Sequence, residues 1–81
     1  MGSNFKFLGI SNNSLEFQET SNKMIFNLPC VFGCKETDVY LREGDLVVVP
    51  NGNGGYFDVW NIREHRIVKS NIKPEDPNTG D

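Results

Sequence analysis

The chain has 81 residues and a mass of 9.2 kDa, which allows one small domain with a single core and excludes two domains. A net charge of −3 and a pI near 5.0 disfavour non-specific binding to nucleic acid. The sequence has no signal-peptide pattern, and no stretch approaches the ~20 apolar residues that cross a bilayer. We therefore expect a cytoplasmic globular protein without membrane contact.

The composition favours strands over helices. The sequence contains six Phe, two Tyr and one Trp but no Ala, which is the strongest helix former. The longest stretch free of Gly and Pro, residues 10–28, is divided by Asn and Ser clusters and lacks the i, i+3, i+4 apolar repeat of an amphipathic helix. These features predict a strand-rich domain with an aromatic core.

Three strands are predicted in the first part of the chain. Residues 5–10 form the first, and residues 15–19 alternate apolar with polar side chains at the period of a half-buried strand. Between them, Asn12 and Asn13 accept the left-handed conformation of a tight hairpin turn. The polar residues 20–23 precede a third strand at residues 24–28, which Pro29 ends.

The region between Pro29 and Gly44 is less regular, and its apolar group at residues 39–41 predicts either a short strand or a helical turn. Residues 46–49 are apolar on both faces, with three consecutive β-branched valines, which indicates a central strand. The Asn- and Gly-rich residues 51–55 predict a hairpin turn into a strand at residues 56–62.

The last elements are a turn at residues 63–65 and a strand at residues 66–69, followed by a flexible acidic tail at residues 74–81. Six short strands separated by breaks predict an all-β, mostly antiparallel fold. The expected architecture is a small SH3-like barrel or a compact two-sheet sandwich, with residues 1–73 forming one domain.

Residues 42–73 resemble SH3-like barrels, including the KOW modules of transcription and translation proteins. The resemblance rests on Gly44 and Asp45 in front of the valine-rich run, on the Gly-rich turn, and on the hairpin that follows it. It implies a small barrel and, through the KOW modules, a nucleic-acid partner. A KOW module is usually basic, whereas this chain is acidic.

Cys30 and Cys34 are the only cysteines. A zinc site needs about four ligands, and His65 is the one further candidate, so we expect no metal. A disulfide is an alternative in an oxidising compartment, but free or buried thiols are the favoured interpretation.

No catalytic set is recognisable. His65 stands among charged residues in a predicted turn, and no nucleophile is visibly paired with it. The Gly-rich residues 51–55 lack the Lys-Ser or Lys-Thr pair of a phosphate-binding loop. We therefore predict that the protein is not an enzyme and uses no cofactor.

A mixed aromatic and basic group in the second half supplies the candidate binding residues, because aromatic faces and cations are common in recognition surfaces. Residues 63–73 contain four Lys or Arg against one Glu, so a local basic strip exists within an acidic chain. The candidate partner-binding residues are Tyr40, Tyr56, Trp60, Arg63, His65, Arg66, Lys69 and Lys73.

These observations favour a non-catalytic protein-binding module. An excess of amino acids with AT-rich codons (Phe, Tyr, Ile, Asn and Lys) suggests an AT-rich genome and the narrower hypothesis of a small phage-type regulator or inhibitor of a host factor. One alternative is a KOW-like or SH3-like nucleic-acid-binding module that uses residues 63–73. Another is a small structural or assembly protein whose valine-rich strand pairs with a second copy at a sheet edge.

Overall fold

The computed structural model describes residues 2–30 and 33–73, and it confirms the predicted all-β fold. Among these residues there is one 3₁₀ turn, Glu36–Asp38, and no α-helix. The strands are β1 (Phe5–Ser11), β2 (Ser14–Glu19), β3 (Ile25–Pro29), β4 (Tyr40–Leu41), β5 (Leu46–Pro50), β6 (Phe57–Asn61) and β7 (Arg66–Ile72).

The strands form two antiparallel sheets, with the orders β1-β2-β3 and β4-β5-β6-β7. The described strands therefore do not close into a barrel, and the two-sheet alternative applies. The sheets are joined where Ser3 pairs with Gly44 in a parallel bridge and Asn4 N–H donates to the Gly44 carbonyl over 2.8 Å.

The structure decides one element that the sequence left open and lengthens another. The ambiguous residues 39–41 contain a short strand, β4, which follows the 3₁₀ turn and pairs with β5 through Tyr40 and Leu41. Strand β7 continues to Ile72 instead of ending at Lys69, because it remains paired with β6 as far as Phe57. The predicted tail at residues 74–81 lies outside the described residues.

The β1–β2 hairpin forms as the sequence predicts. Asn12 and Asn13 have φ values of 52° and 61°, the left-handed conformation that a two-residue hairpin turn requires. Strand β1 has a bulge between Phe7 and Gly9. A Cβ at Gly9 would lie 3.1 Å from the Glu36 carboxylate, so glycine allows the 3₁₀ turn to approach β1.

The main core lies between the two sheets and is rich in aromatic and β-branched side chains. Strand β2 contributes Leu15 and Phe17, both 0% exposed, because alternate residues of a strand point to the same face. Burial of a side chain of this size stabilises the fold by about 1.5–3 kcal/mol. The buried cluster consists of Phe5, Leu15, Phe17, Leu28, Cys30, Val47, Val49 and Ile62.

The valine-rich strand β5 is central, as predicted, and contributes to both faces of its sheet. Val47 and Val49 belong to the main core, whereas Val48 belongs to a second cluster with Phe57 and Val59. β5 lies between β4 and β6, which argues against the alternative in which this strand pairs with a second copy at a sheet edge. Val47 and Val48 have strand partners on both sides, in β4 and in β6.

The two cysteines form a disulfide, so the favoured interpretation as free or buried thiols is wrong. Cys30 directly follows β3 and is 3% exposed within the main core, and Cys34 packs partly buried against the same core. Gly33 adopts a φ of +81°, which favours glycine and helps the chain to turn back between the cysteines. The two Cα atoms lie 6.1 Å apart, within the usual range for a disulfide.

Candidate functional site

A bulge in β7 decides which predicted site residues share a face. Regular alternation would place Lys69 on the same face as Ile67. The register instead shifts, so that Ile67 lies opposite Trp60 but Lys69 lies opposite Val59. Neighbouring residues of β6 point to opposite faces, and directly opposed residues share a face. The bulge therefore places Lys69 with Arg66 and away from Ile67.

We call the face of the four-stranded sheet that turns away from β1–β3 the outer face. Its buried centre consists of three apolar side chains, Val48, Phe57 and Val59. Its exposed perimeter contains Tyr40 on the β4 side and Arg66 and Lys69 on the β7 side. One row of paired residues, from Tyr40 to Lys69, crosses all four strands over about 14 Å.

The outer face presents an aromatic ring and cations together. Tyr40 is 47% exposed, and its ring packs against Phe57 with 6.0 Å between the ring centroids. Arg66 Nε donates to Glu64 Oε1 over 2.6 Å, in an ion pair whose two side chains are more than half exposed. Exposed pairs of this kind contribute little to stability, so a partner's carboxylate can replace Glu64 at small cost.

Two further candidates meet at the end of this sheet. Tyr56 and Lys73 flank the last β6–β7 pair, and the Lys73 ammonium lies 5.6 Å from the centroid of the Tyr56 ring. This is a cation–π contact, which leaves the charge of the lysine exposed to solvent. These two residues therefore lie at the end of the sheet, one position beyond the Phe57–Ile72 pair of the outer cluster.

Arg63 has a structural role. Its guanidinium pairs with Glu19 at the end of β2 and with Asp45 just before β5, where Nε lies 2.9 Å from Oδ2. It also lies 5.8 Å from the centroid of the Phe5 ring. Arg63 thereby ties the turn after β6 to both sheets, and two carboxylates neutralise its charge.

The ion pairs shift the pKa values of all three groups. The hydrogen bond from Arg63 is the main cause that lowers the pKa of Glu19 below 4.5, although Glu19 is only 4% exposed and burial opposes this shift. The hydrogen bonds from Arg63 and then from Asn4 lower the pKa of Asp45 below 3.8. The two carboxylates raise the pKa of Arg63 above its usual range.

His65 contacts Trp60 of β6 and Asn27 of β3, so it joins the two sheets and is not simply a solvated turn residue. The predicted turn is present, and His65 adopts a φ of 54° within it. Its ring lies edge-on to Trp60 with 5.5 Å between the centroids, and Nε2 lies 3.2 Å from the carbonyl oxygen of Asn27 on β3. Trp60 itself packs against the main core.

The structure therefore divides the eight predicted site residues into separate groups. No ring contact joins Tyr40, Tyr56 and Trp60 within the described residues. The three residues that converge on a single exposed perimeter are Tyr40, Arg66 and Lys69.

Sequence reasoning missed a polar network behind the β5–β6 loop. Asp58 on β6 is only 9% exposed, and its Oδ1 accepts hydrogen bonds from Asn51 Nδ2 at 2.9 Å and from Asn71 N–H at 3.1 Å. Asn71 has a φ of 55° and belongs to an irregular stretch of β7. The Asn and Asp residues of this network are visible in the sequence, but their spacing does not predict that Asn51, Asp58 and Asn71 would meet.

The described residues contain no group of three potential metal ligands and no helix long and apolar enough to span a bilayer. No protein-family model matches the chain. Neither curated proteins nor solved structures give a significant match.

Proposed function

We propose that the protein is a non-catalytic protein-binding module that uses the outer face to bind an acidic surface of its partner. The observation that carries this proposal is the placement of Tyr40, Arg66 and Lys69 around one small apolar cluster. Tyr and Arg are enriched in protein interfaces, where an aromatic anchor and an adaptable cation contribute much of the binding energy. The local basic charge complements an acidic partner.

The nucleic-acid alternative has weaker support. That alternative requires Arg63 to contribute to a basic strip, but Arg63 forms salt bridges with Glu19 and Asp45. The chain as a whole has a net charge of −3, which repels phosphate. The role as a phage-type regulator or inhibitor of a host factor remains a prediction about the identity of the partner. A purely structural or assembly role remains the third alternative.

The cytoplasmic location is likewise a prediction. The Cys30–Cys34 disulfide disfavours it, since disulfides are rare in proteins of the cytosol, where thiol reductants keep cysteines reduced. Thiol labelling of protein taken directly from the source cells, under conditions that stop exchange, tests both statements. Full labelling of both cysteines in the native protein would support a reducing compartment.

The binding proposal is tested by cross-linking capture with matched charge variants. Arg66→Glu combined with Lys69→Glu reverses the charge of the outer face, whereas Lys6→Glu combined with Lys35→Glu makes the same change on other exposed sites. We expect a defined protein to be captured by the wild type and the control variant but lost with the outer-face variant. Equal capture by both variants would contradict the proposal.

Titration with labelled RNA and DNA at low salt distinguishes the nucleic-acid alternative from the protein-binding proposal. We expect no binding that depends on Arg66 and Lys69. Salt-dependent binding that the outer-face variant loses would instead support a nucleic-acid module.

A further inference from the structure

The loop between β5 and β6 contains two Asn-Gly sequences, Asn51-Gly52 and Asn53-Gly54. In such a pair the backbone nitrogen of glycine can attack the side-chain amide carbon of the preceding asparagine, because glycine has no Cβ to obstruct the approach. The attack needs an asparagine side chain that can rotate towards the following peptide group. The side chains of Asn51 and Asn53 differ in the number of hydrogen bonds that restrain this rotation.

Asn51 is held in place by its own side chain. Its Nδ2 donates to Asp58 Oδ1 over 2.9 Å and to Asn71 Oδ1 over 2.7 Å. Its Oδ1 accepts from the backbone N–H of Asn53 over 2.8 Å. Asp58 is almost fully buried, so this acceptor is fixed in the sheet. Rotation of the Asn51 side chain towards Gly52 would break three hydrogen bonds.

Asn53 has one weaker restraint. Its Nδ2 donates to Asn71 Oδ1 over 3.3 Å, and no other side-chain hydrogen bond of Asn53 is found among the described residues. The residue is exposed, and so is Gly54. A Cβ built on Gly54 would meet no heavy atom within 4 Å, so space is available for the peptide group to turn.

We propose that Asn53 is a site of spontaneous deamidation and that Asn51, two residues earlier, is protected by the fold. The Gly54 nitrogen forms a bond to Cγ of Asn53, loses its proton, and the side-chain amide leaves as ammonia. Water then opens the resulting succinimide ring at either carbonyl, which yields an aspartate or an isoaspartate. No enzyme or redox partner is needed.

The modification adds a carboxylate to the polar network behind the loop. The net charge changes from −3 to −4, and the donor from position 53 to Asn71 Oδ1 is lost. The new charge joins a network that already contains the Asp58 carboxylate, and like charges repel. An isoaspartate also lengthens the backbone inside the turn that the Tyr56 N–H to Asn53 carbonyl bond closes over 3.0 Å. Aged protein therefore carries an altered β5–β6 turn.

The test compares the two asparagines within the same molecule. The intact protein is incubated at mildly alkaline pH, folded and in denaturant, and fragmentation mass spectrometry that separates aspartate from isoaspartate follows each site. We expect Asn53 to lose its amide about tenfold faster than Asn51 in the folded protein, because the bonds that hold Asn51 must open first. In denaturant the two rates should become similar.

A matched pair of variants checks the cause. Asn71→Gly suits the positive φ and removes the acceptor for Asn51 Nδ2, so it should speed deamidation of Asn51. Asn13→Gly makes the same replacement at a positive φ in the other hairpin and should change neither rate. Equal rates at Asn51 and Asn53 in the folded wild type, or no reaction at Asn53 while both sites react in denaturant, would overturn the proposal.

Discussion

The two faces of the four-stranded sheet are built from the same strands but meet different surroundings. On the inner face, Val47 and Val49 pack against the three-stranded sheet within the main core. On the outer face, Val48 belongs to a smaller cluster whose perimeter includes exposed Tyr40. The inner face therefore contributes to the main core, whereas the outer face leaves Tyr40, Arg66 and Lys69 exposed. Substitutions on the two faces should therefore have different consequences.

The largest effect is expected in the core that covers the inner face. Phe17→Ala removes a ring that is 0% exposed and leaves a cavity between the sheets, which costs about 3–5 kcal/mol of unfolding free energy. Urea unfolding followed by circular dichroism measures this loss. A cost close to that of a surface substitution would contradict the assignment of the main core.

A matched pair on β5 sharpens the comparison directly. Val47→Ala leaves a void sealed between two sheets and should cost about 2 kcal/mol. Val48 lies on the outer face, where neighbouring side chains can move into the gap. Val48→Ala should therefore cost about 1 kcal/mol of unfolding free energy. Both variants are compared with the wild type in one urea series. The opposite order would mean that the outer cluster is the more tightly packed of the two.

The ion pairs of Arg63 make stability depend on acid pH. Because the pKa values of Glu19 and Asp45 are lowered in the folded state, the pairs stabilise the protein above pH 4.5, and this contribution is lost as the pH falls through the lowered values. Arg63→Gln removes the partner of both carboxylates. We expect the variant to be less stable at neutral pH and to lose less stability on acidification than the wild type.

The measurement is the urea midpoint at neutral and acid pH, with Arg66→Gln as the control, since Arg66 pairs with the exposed Glu64. Parallel dependence of the urea midpoint on pH for Arg63→Gln and the wild type would show that the ion pairs do not contribute to stability.

The smallest effect on stability is expected on the outer perimeter. The combination of Tyr40→Ala with Lys69→Glu changes exposed side chains and should alter the unfolding free energy by about 1 kcal/mol, most of it from the lost contact between the Tyr40 and Phe57 rings. The same variant should lose capture of the partner. Thermal unfolding and capture are measured on one preparation. A large loss of stability would assign these residues to the fold instead of to binding.

Much of the fold was predictable because it depends on local signals. Alternation in β2, the Asn12-Asn13 turn and the Gly-rich turn after β5 each depend on a few neighbouring residues, and all three are present. The bulge in β7 was not predictable, since it depends on pairing with β6. The bulge moves Lys69 to the other face, so the composition of the candidate site depends on this single register shift.

The sequence by itself determined the strand-rich class of this protein, its breaks and its aromatic core, because these follow from side-chain alternation and turn chemistry within short segments. Tertiary structure alone decided that Arg63 binds Glu19, which lies 44 residues away. It also decided which cations share a face. The physical reason is that contacts between distant residues depend on how the strands pair and pack, which the periodicity of a segment does not encode.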